Sequence, residues 1–338
     1  VLMHILKLGV SYLLIHYFDD KLLVYVYAMA VFTAIPTFVY FIYCSYRYSD
    51  ITKFTFVKKI DKYVDVLKFS VWVGYGAIAS VGRTQGAAVI VNMFFNTILN
   101  TALSVANTVN SLITLLSQNI SQPIAPQLIK AYAAGNMARC NELLIIATKY
   151  TYLLSLLVAV PLLVETEWII DLWLSEVPPY SVIFTRLLII DTLITALNSG
   201  ISNIVFASGK IRLYQILINT LRLSSVVAAY FALKYGMPAY SLLIVYILFS
   251  VLIFFATQVV LHRTLKYDNK ILWRFSYIPS FKVTFASLFL LYDFNLHPII
   301  SMAVAMFYVL SLILIWGLGQ KEKRSVFTFI KTTIHRVD

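Results

Sequence analysis

The chain has 338 residues, 60% of them hydrophobic and 12% charged, with a mean hydropathy of +0.82. Soluble domains carry about one quarter charged residues, so this composition excludes a soluble globular protein and points to a polytopic membrane protein. A net charge of +12 would suggest nucleic acid in a soluble chain, so the placement of the positive residues decides what they mean.

In chain order, about ten hydrophobic runs are long enough, or nearly so, to cross roughly 30 Å of hydrocarbon as helices. Segments 1 to 10 are placed at 1–18, 21–44, 69–95, 98–120, 143–164, 180–207, 213–234, 238–261, 276–292 and 298–318. Lys and Arg alternate between their connections. Segment 2 is followed by Arg47, Lys53, Lys58, Lys59, Lys62 and Lys68, segment 4 by Lys130, Arg139 and Lys149, and segment 6 by Lys210 and Arg212. Segment 8 is followed by Arg263, Lys266, Lys270, Arg274 and Lys282, and the tail carries Lys321, Lys323, Arg324, Lys331 and Arg336. The opposite side has only Lys21 and Lys234, while Lys7, Arg83, Arg186 and Arg222 fall within segments. The positive-inside rule then places the even-numbered connections and both chain ends in the cytoplasm. Most of the charge is therefore topology, and no nucleic-acid partner is expected.

The connections have character of their own. Residues 51–68 set Phe54, Val57, Ile60, Val64 and Leu67 at helical spacing between lysines, which fits an amphipathic helix on an anionic inner leaflet or a solvated linker. Outside, Glu165 to Pro179 mixes four acids with Trp168 and Trp173, as an interfacial anchor does, and Pro178 and Pro179 close it before segment 6. Trp273 and Phe275 take the same part on the inner side. Cys44 and Cys140 fall on one predicted side and offer neither a disulfide framework nor metal spacing. No cleavable signal peptide is visible, and the start at Val1 without methionine reads as a fragment or a processed form.

Segments 3 to 8 hold nearly all the intramembrane Asn, Gln, Arg and Asp, which marks a six-helix unit. Segments 9 and 10, with scattered Ser and Thr, are expected to face lipid as an accessory pair. The division is then 1–44 as the last two helices of a preceding lobe, 45–68 as linker, 69–262 as the six-helix lobe, 263–318 as the accessory pair and 319–338 as a basic cytoplasmic tail. The fold class is all-α: a polytopic membrane bundle of about ten transmembrane helices, one complete lobe with two helices on either side.

Segment 4 carries the clearest pattern. Asn100, Ser104, Asn107, Ser111, Thr114, Gln118 and Ser121 recur every three or four residues and draw one polar stripe down a helix that ends at Pro123 and Pro126. Such a stripe suits the wall of a hydrated cavity, or a packing seam, since small polar residues also join membrane helices. On segment 3, at about 100° per residue, Gln85, Asn92 and Asn96 share one face, and Arg83 points nearly opposite with Gly76 and Ala87. One face is expected to line the cavity and the other to approach a neighbouring helix through glycines. Segment 6 offers Asp191, Thr195, Asn198 and Ser202 as a second stripe, with Arg186 nearer its outer end. Arg83 lies roughly 20 Å into segment 3 and Arg222 roughly 13 Å into segment 7, both at membrane depth.

Charges there cost at least about 2.5 kcal/mol each and mark pathways or pairs. An Arg/Asp pair joining segments 6 and 7 is one reading. With three arginines to one aspartate, positive charge remains after pairing, which favours an anionic substrate, and guanidinium forks suit phosphate oxygens. Arg83 and Arg222, with Arg186, are expected to hold a phosphate-bearing head group while the stripes of segments 4 and 6 take hydroxyl-rich sugar. No HExxH, GxSxG or Walker loop and no paired carboxylates are present, so neither enzymatic activity nor a metal or cofactor is expected. A membrane glycan polymerase or ligase is the rival from the enzyme class. It would need a long external catalytic loop, and the Glu165 to Pro179 connection is short.

The blocks FSVWVGYGAIASVGRTQGAAVIVNMFF (Phe69 to Phe95), SQPIAPQLIKAYAAGN (Ser121 to Asn136), LWLSEVPPYSVIFTRLLII (Leu172 to Ile190) and GKIRLYQ (Gly209 to Gln215) resemble bacterial polysaccharide flippases of the Wzx type. Their superfamily also holds multidrug/cation antiporters and the lipid II flippase. The resemblance covers about 69–262 and extends to the ends only by pattern. It implies an inner-membrane protein of two six-helix lobes around a central cavity, which moves undecaprenyl-diphosphate-linked oligosaccharide to the periplasmic leaflet by alternating access. On that mapping segments 3 to 8 are the second lobe, and four further helices would precede segment 1. Coupling to H+ or Na+, through Asp191, and association with polysaccharide assembly proteins are compatible with it. Rival cargoes on the same fold are lipid II, teichoic-acid precursors and cationic drugs, the last a poor match for arginines. A scaffold that transports nothing is the remaining alternative.

Overall fold

A computed structural model describes residues 9, 21–52, 60–291, 297–320 and 322–324. Segment 1, the middle of the 51–68 connection and the tail residues Lys331 and Arg336 lie outside the described residues. The chain divides into two compact units, Val1–Asp65 and Val66–Asp338.

In the first unit, helix α1 (Lys21–Arg47) runs through Pro36 and is followed by a helical turn at Ser49–Thr52. Proline removes one backbone donor, and nearby hydroxyls take part in the local bonding: Thr33 Oγ1 donates to the Met29 carbonyl at 2.8 Å and Thr37 Oγ1 to that of Thr33 at 3.2 Å. Phe38, Tyr40, Phe41 and Tyr46 are exposed, as suits a surface solvated by lipid.

The second unit is built from α2 (Ile60–Phe94, which begins in the first unit), α3 (Thr97–Ala133), α4 (Met137–Val164), α5 (Thr166–Trp173) and α6 (Ser181–Ala196). There follow α7 (Ile201–Ala207), α8 (Arg212–Lys234), α9 (Ser241–Leu265), α10 (Ile278–Ser287) and α11 (Pro298–Leu312). No strand occurs among the described residues. Asn96 and Asn136 start α3 and α4 by accepting from the Leu99 and Arg139 amides, each at 3.0 Å. Short connections send successive helices back and forth, which leaves one end of the unit rich in Lys and Arg and the other, around Glu165 to Glu176, acidic. Among the described residues six helices are long and apolar enough to cross a membrane, or seven spans if the bent pair α6/α7 counts as one. The protein is thus an all-α, multi-pass membrane protein.

Two elements differ from the pattern read in the sequence. Helix α3 does not stop at Pro123 and Pro126 but continues through both to Ala133, 37 residues in all. The prolines leave the Asn119 and Gln122 carbonyls without their helical donors, a loss that membrane helices tolerate, and Ser121 Oγ donates to the Ser117 carbonyl at 2.9 Å in the turn before them. Segment 6 is broken: α6 and α7 meet at 40° across Leu197–Gly200. Gly200 has φ +81°, and a Cβ there would lie 2.6 Å from that of Ala147 on α4, so only glycine lets the bend press against its neighbour.

Side-chain packing forms two apolar clusters. The larger joins the basic-end half of α3, all of α4, the inner half of α6, α7 and the accessory helices through Leu144, Leu153, Ile189, Ile201, Tyr277 and Val309. The smaller fills the acidic end with Ile90, Val91, Leu103, Phe184, Leu233 and Leu242. The accessory pair is not simply lipid-facing. Its hydroxyls turn inward onto α4, with Ser276 Oγ 2.8 Å from Thr148 Oγ1 and Thr284 Oγ1 2.7 Å from the Tyr152 hydroxyl. Such bonds join helices where apolar burial alone does not distinguish protein from lipid. Lys149, assigned to a loop by charge counting, lies within α4 at 3% exposure, and its Nζ donates to Glu322 Oε2 at 2.6 Å.

Candidate functional site

Between the two clusters α2, α3, α6, α8 and α9 part around a cavity of about 570 Å3. Asn107, Asn110, Ser111, Thr114 and Gln118 come from α3, and Asp191, Thr195 and Asn198 from α6 and its break. Ser80, Arg83 and Thr84 of α2, Tyr214 and Arg222 of α8, and Tyr246 and Thr257 of α9 complete its polar wall. Residues distant in sequence thereby share one chamber at the depth of the spanning helices.

One corner is saturated. Arg83 Nη2 lies 3.0 and 3.1 Å from the two Asp191 carboxylate oxygens, 3.0 Å from the Tyr246 carbonyl and 2.9 Å from Ser250 Oγ. Ser250 in turn donates to Asp191 Oδ1 at 2.5 Å, and the Tyr246 hydroxyl donates to the Arg83 carbonyl at 2.9 Å. The guanidinium carbon sits 4.6 Å from the centre of the Tyr246 ring, within cation–π range. The side chains of Arg83 and Asp191 are 12% and 15% exposed, so the charges neutralise each other with little help from water. The pair therefore ties α2 to α6, with α9 closing over it, rather than joining segments 6 and 7.

The other corner is open. Arg222 Nη1 donates to Asn219 Oδ1 at 3.2 Å, and Asn219 Nδ2 donates to Gln215 Oε1 one turn earlier on α8. Gln215 and Asn219 are 4% and 1% exposed and are packed under Gly76 of α2, where a Cβ would stand 2.7 Å from Gln215 Oε1. Glycine brings the α2 backbone onto this amide ladder and so fixes the base from which Arg222 projects. Among the described residues Arg222 makes no ion pair. Among the described residues the cavity is left with one guanidinium that has no counter-ion within pairing distance.

The stripe on α3 divides by chemistry. Its hydroxyls are already bonded to their own helix: Ser104 Oγ to the Asn100 carbonyl at 3.0 Å, Ser111 Oγ to Thr108 at 2.6 Å and Thr114 Oγ1 to Asn110 at 3.2 Å. Local bonds of this kind leave them as weak acceptors. The stripe's amides Asn107 and Gln118 line the cavity beside them. Asn110 Oδ1 and Asn198 Oδ1, in residues that also line it, are buried with no hydrogen-bond partner among the described residues. Asn110, three residues after Asn107 and four before Thr114, shares the cavity face, although the stripe read in the sequence runs through Ser111 instead. Ser117, also off it, bonds Ser155 of α4 at 2.8 Å and marks the packing seam on the other side of the helix.

Of the residues expected at the site, Arg83, Asn107, Ser111, Thr114, Gln118, Asp191, Thr195, Asn198 and Arg222 line the cavity. Five do not. Gln85 and Asn92 are exposed on the opposite face of α2, because it is the Arg83 face with Ser80, Thr84 and Ala87 that turns inward. Asn100 and Ser104 lie beyond the cavity, beside the cluster that fills the acidic end. Arg186 lies in a separate groove with Pro178, Pro179, Tyr180 and Tyr240. Removing it lowers the surplus in the cavity from two positive charges to one. Among the described residues no group of three or more His, Cys, Asp or Glu is placed to hold a metal ion. No family model, curated protein or solved structure matches the chain.

Proposed function

We propose that the protein moves a membrane-anchored, phosphate-bearing glycan, of the undecaprenyl-diphosphate-linked oligosaccharide class, between the leaflets of a bacterial inner membrane, with the basic end cytoplasmic. The single observation that carries this reading is Arg222, which makes no ion pair among the described residues, in a cavity whose polar wall otherwise holds amides, hydroxyls and the self-neutralised Arg83–Asp191 pair. A guanidinium without a counter-ion at membrane depth is costly unless an anion visits it, and its fork matches phosphate oxygens. The amide side chains of Asn107, Asn110, Gln118 and Asn198 line the cavity and are the kind of group that sugar hydroxyls pair with. The lipid chain would remain in the bilayer while the head group crosses in the cavity by alternating access. The sequence blocks that resemble Wzx-type flippases agree with this reading. The same chemistry fits lipid II or a teichoic-acid precursor.

Arg83 takes a different part from the one its sequence suggested. Held by Asp191, Ser250 and the Tyr246 carbonyl, it is a positioning residue that sets the spacing of α2, α6 and α9. The test is glycan translocation in cells expressing the native gene with Arg222→Ala or Arg222→Lys. The alanine variant is expected to fall more than tenfold with the protein still inserted at normal level, and lysine to recover part of the loss. Translocation at the normal rate in Arg222→Ala would refute the reading.

A further inference from the structure

Away from the cavity, at the acidic end, Pro178, Pro179, Tyr180, Arg186 and Tyr240 line a groove of about 500 Å3. Three observations make it more than a surface dent. First, its floor is rigid. Two prolines precede Tyr180, and both the Ser181 amide and its hydroxyl donate to the Pro178 carbonyl, at 3.2 and 2.8 Å. Second, Tyr180 is held at φ 69°, in the left-handed region that a bulky residue seldom enters and that is kept where the surroundings over-determine it. Its ring lies 5.9 Å from that of the buried Phe184 and 6.3 Å from that of Tyr240, which fixes an aromatic wall. Third, Arg186 is exposed and, among the described residues, makes no ion pair, although Glu165, Glu167, Asp171 and Glu176 all lie in the preceding connection.

Depth gives the ligand its class. Arg186 stands about 7.5 Å along α6 from Ser181, close to the acidic end of this span, and an arginine that near a span's end reaches the head-group level with its guanidinium. The exposed Trp173 and Tyr235 and the groove's own Tyr180 and Tyr240 form the aromatic belt expected at that level. A guanidinium there faces lipid phosphates, and fixed tyrosine rings beside it offer flat faces to glycerol or sugar carbons.

We infer that this groove is a binding site for the phosphate head group of a membrane lipid, with Arg186 on the phosphate and Tyr180 and Tyr240 flanking what the phosphate carries. The site is separate from the central cavity, and neither depends on the other. An ordinary snorkelling arginine would bind no lipid in preference and would not need Tyr180 in its strained conformation.

The test measures lipids retained by the purified full chain in native mass spectrometry, using phosphatidylglycerol, undecaprenyl phosphate and diacylglycerol as probes. Both phosphate lipids are expected to be retained over diacylglycerol. Arg186→Gln is expected to lower their retention about tenfold, the loss of one charge-assisted forked contact. Tyr180→Gly, which relieves the backbone while removing the ring, is expected to weaken retention without loss of thermal stability, and Arg222→Ala to leave it unchanged. Preference for undecaprenyl phosphate over phosphatidylglycerol would identify the carrier lipid as the source, and equal retention a bulk phospholipid; both support the site. Equal retention of diacylglycerol, no change in Arg186→Gln, or displacement by millimolar inorganic phosphate would overturn it.

Discussion

Arg83 and Arg222 line the same cavity, at similar depth, on neighbouring helices, yet their surroundings make them opposite in kind. Arg83 spends its donors on a carboxylate, a carbonyl and a hydroxyl from two other helices. Arg222, among the described residues, donates only to an asparagine of its own helix. A buried charge that is paired and bonded holds helices together; one left unpaired raises the energy of the resting protein and is stabilised by whatever anion arrives. Charge at membrane depth is therefore a poor guide to function until its partners are known.

The sharpest way to break this contrast is to remove Asp191. Asp191→Asn should leave Arg83 without a counter-ion and destabilise the protein by about 3 kcal/mol, the scale of a broken buried pair. The double variant Arg83→Met/Asp191→Leu should recover most of that loss, while Arg222→Ala should leave stability unchanged or raise it. Thermal unfolding of all three in one detergent measures the order. Equal losses for Asp191→Asn and Arg222→Ala would erase the distinction.

The next largest effect is expected at the bend that brings Asn198 to the cavity. Gly200→Ala should cost about 2–4 kcal/mol, from left-handed strain on a residue with Cβ and the clash with Ala147. Gly74→Ala, whose Cβ would meet nothing within 4 Å, should change stability by less than about 0.5 kcal/mol. The same unfolding measurement separates them.

A smaller effect belongs to the pair at the basic end. Burial pushes the Glu322 carboxyl up, but the bonds from Lys149, the Gly319 amide and Tyr150 outweigh it and hold the group below its ordinary range. A carboxylate with a depressed folded pKa contributes stability that is complete above its unfolded pKa, near ~4.3, and is lost as pH falls through the folded value. Unfolding followed from neutral to acid pH should show this loss below the ordinary carboxylate range. Glu322→Gln should remove that step and lower stability at neutral pH by about 1–2 kcal/mol.

Much of this was legible in the sequence, for identifiable reasons. Hydrophobic length located segments 2, 4, 5, 7, 8 and 10, and segment 6 when its bent halves count as one span, and the three-to-four spacing from Asn107 to Gln118 selected the face of α3 that meets the cavity. Periodicity on one helix could not reveal which face of α2 turns inward, because Gln85 and Arg83 are both polar and the choice is made by Asp191 and Ser250 from elsewhere in the chain. Charge alone groups Arg186 with the other arginines, whereas its place near the start of α6 keeps it out of the cavity. Proline marked the end of segment 4 by a rule suited to water, whereas α3 continues through Pro123 and Pro126 with Ser121 bonded to the turn before.

The central claim, that Arg222 receives an anionic glycan head group inside the cavity, is tested most directly by protection of a cysteine on the facing wall. Asn107→Cys, with Cys44 and Cys140 replaced by alanine, would be labelled with a polar maleimide in proteoliposomes, with and without undecaprenyl-diphosphate-linked oligosaccharide. The account predicts that this lipid slows labelling at position 107 and that Arg222→Ala abolishes the protection. Labelling at the same rate with and without the lipid, or protection that survives Arg222→Ala, would contradict it.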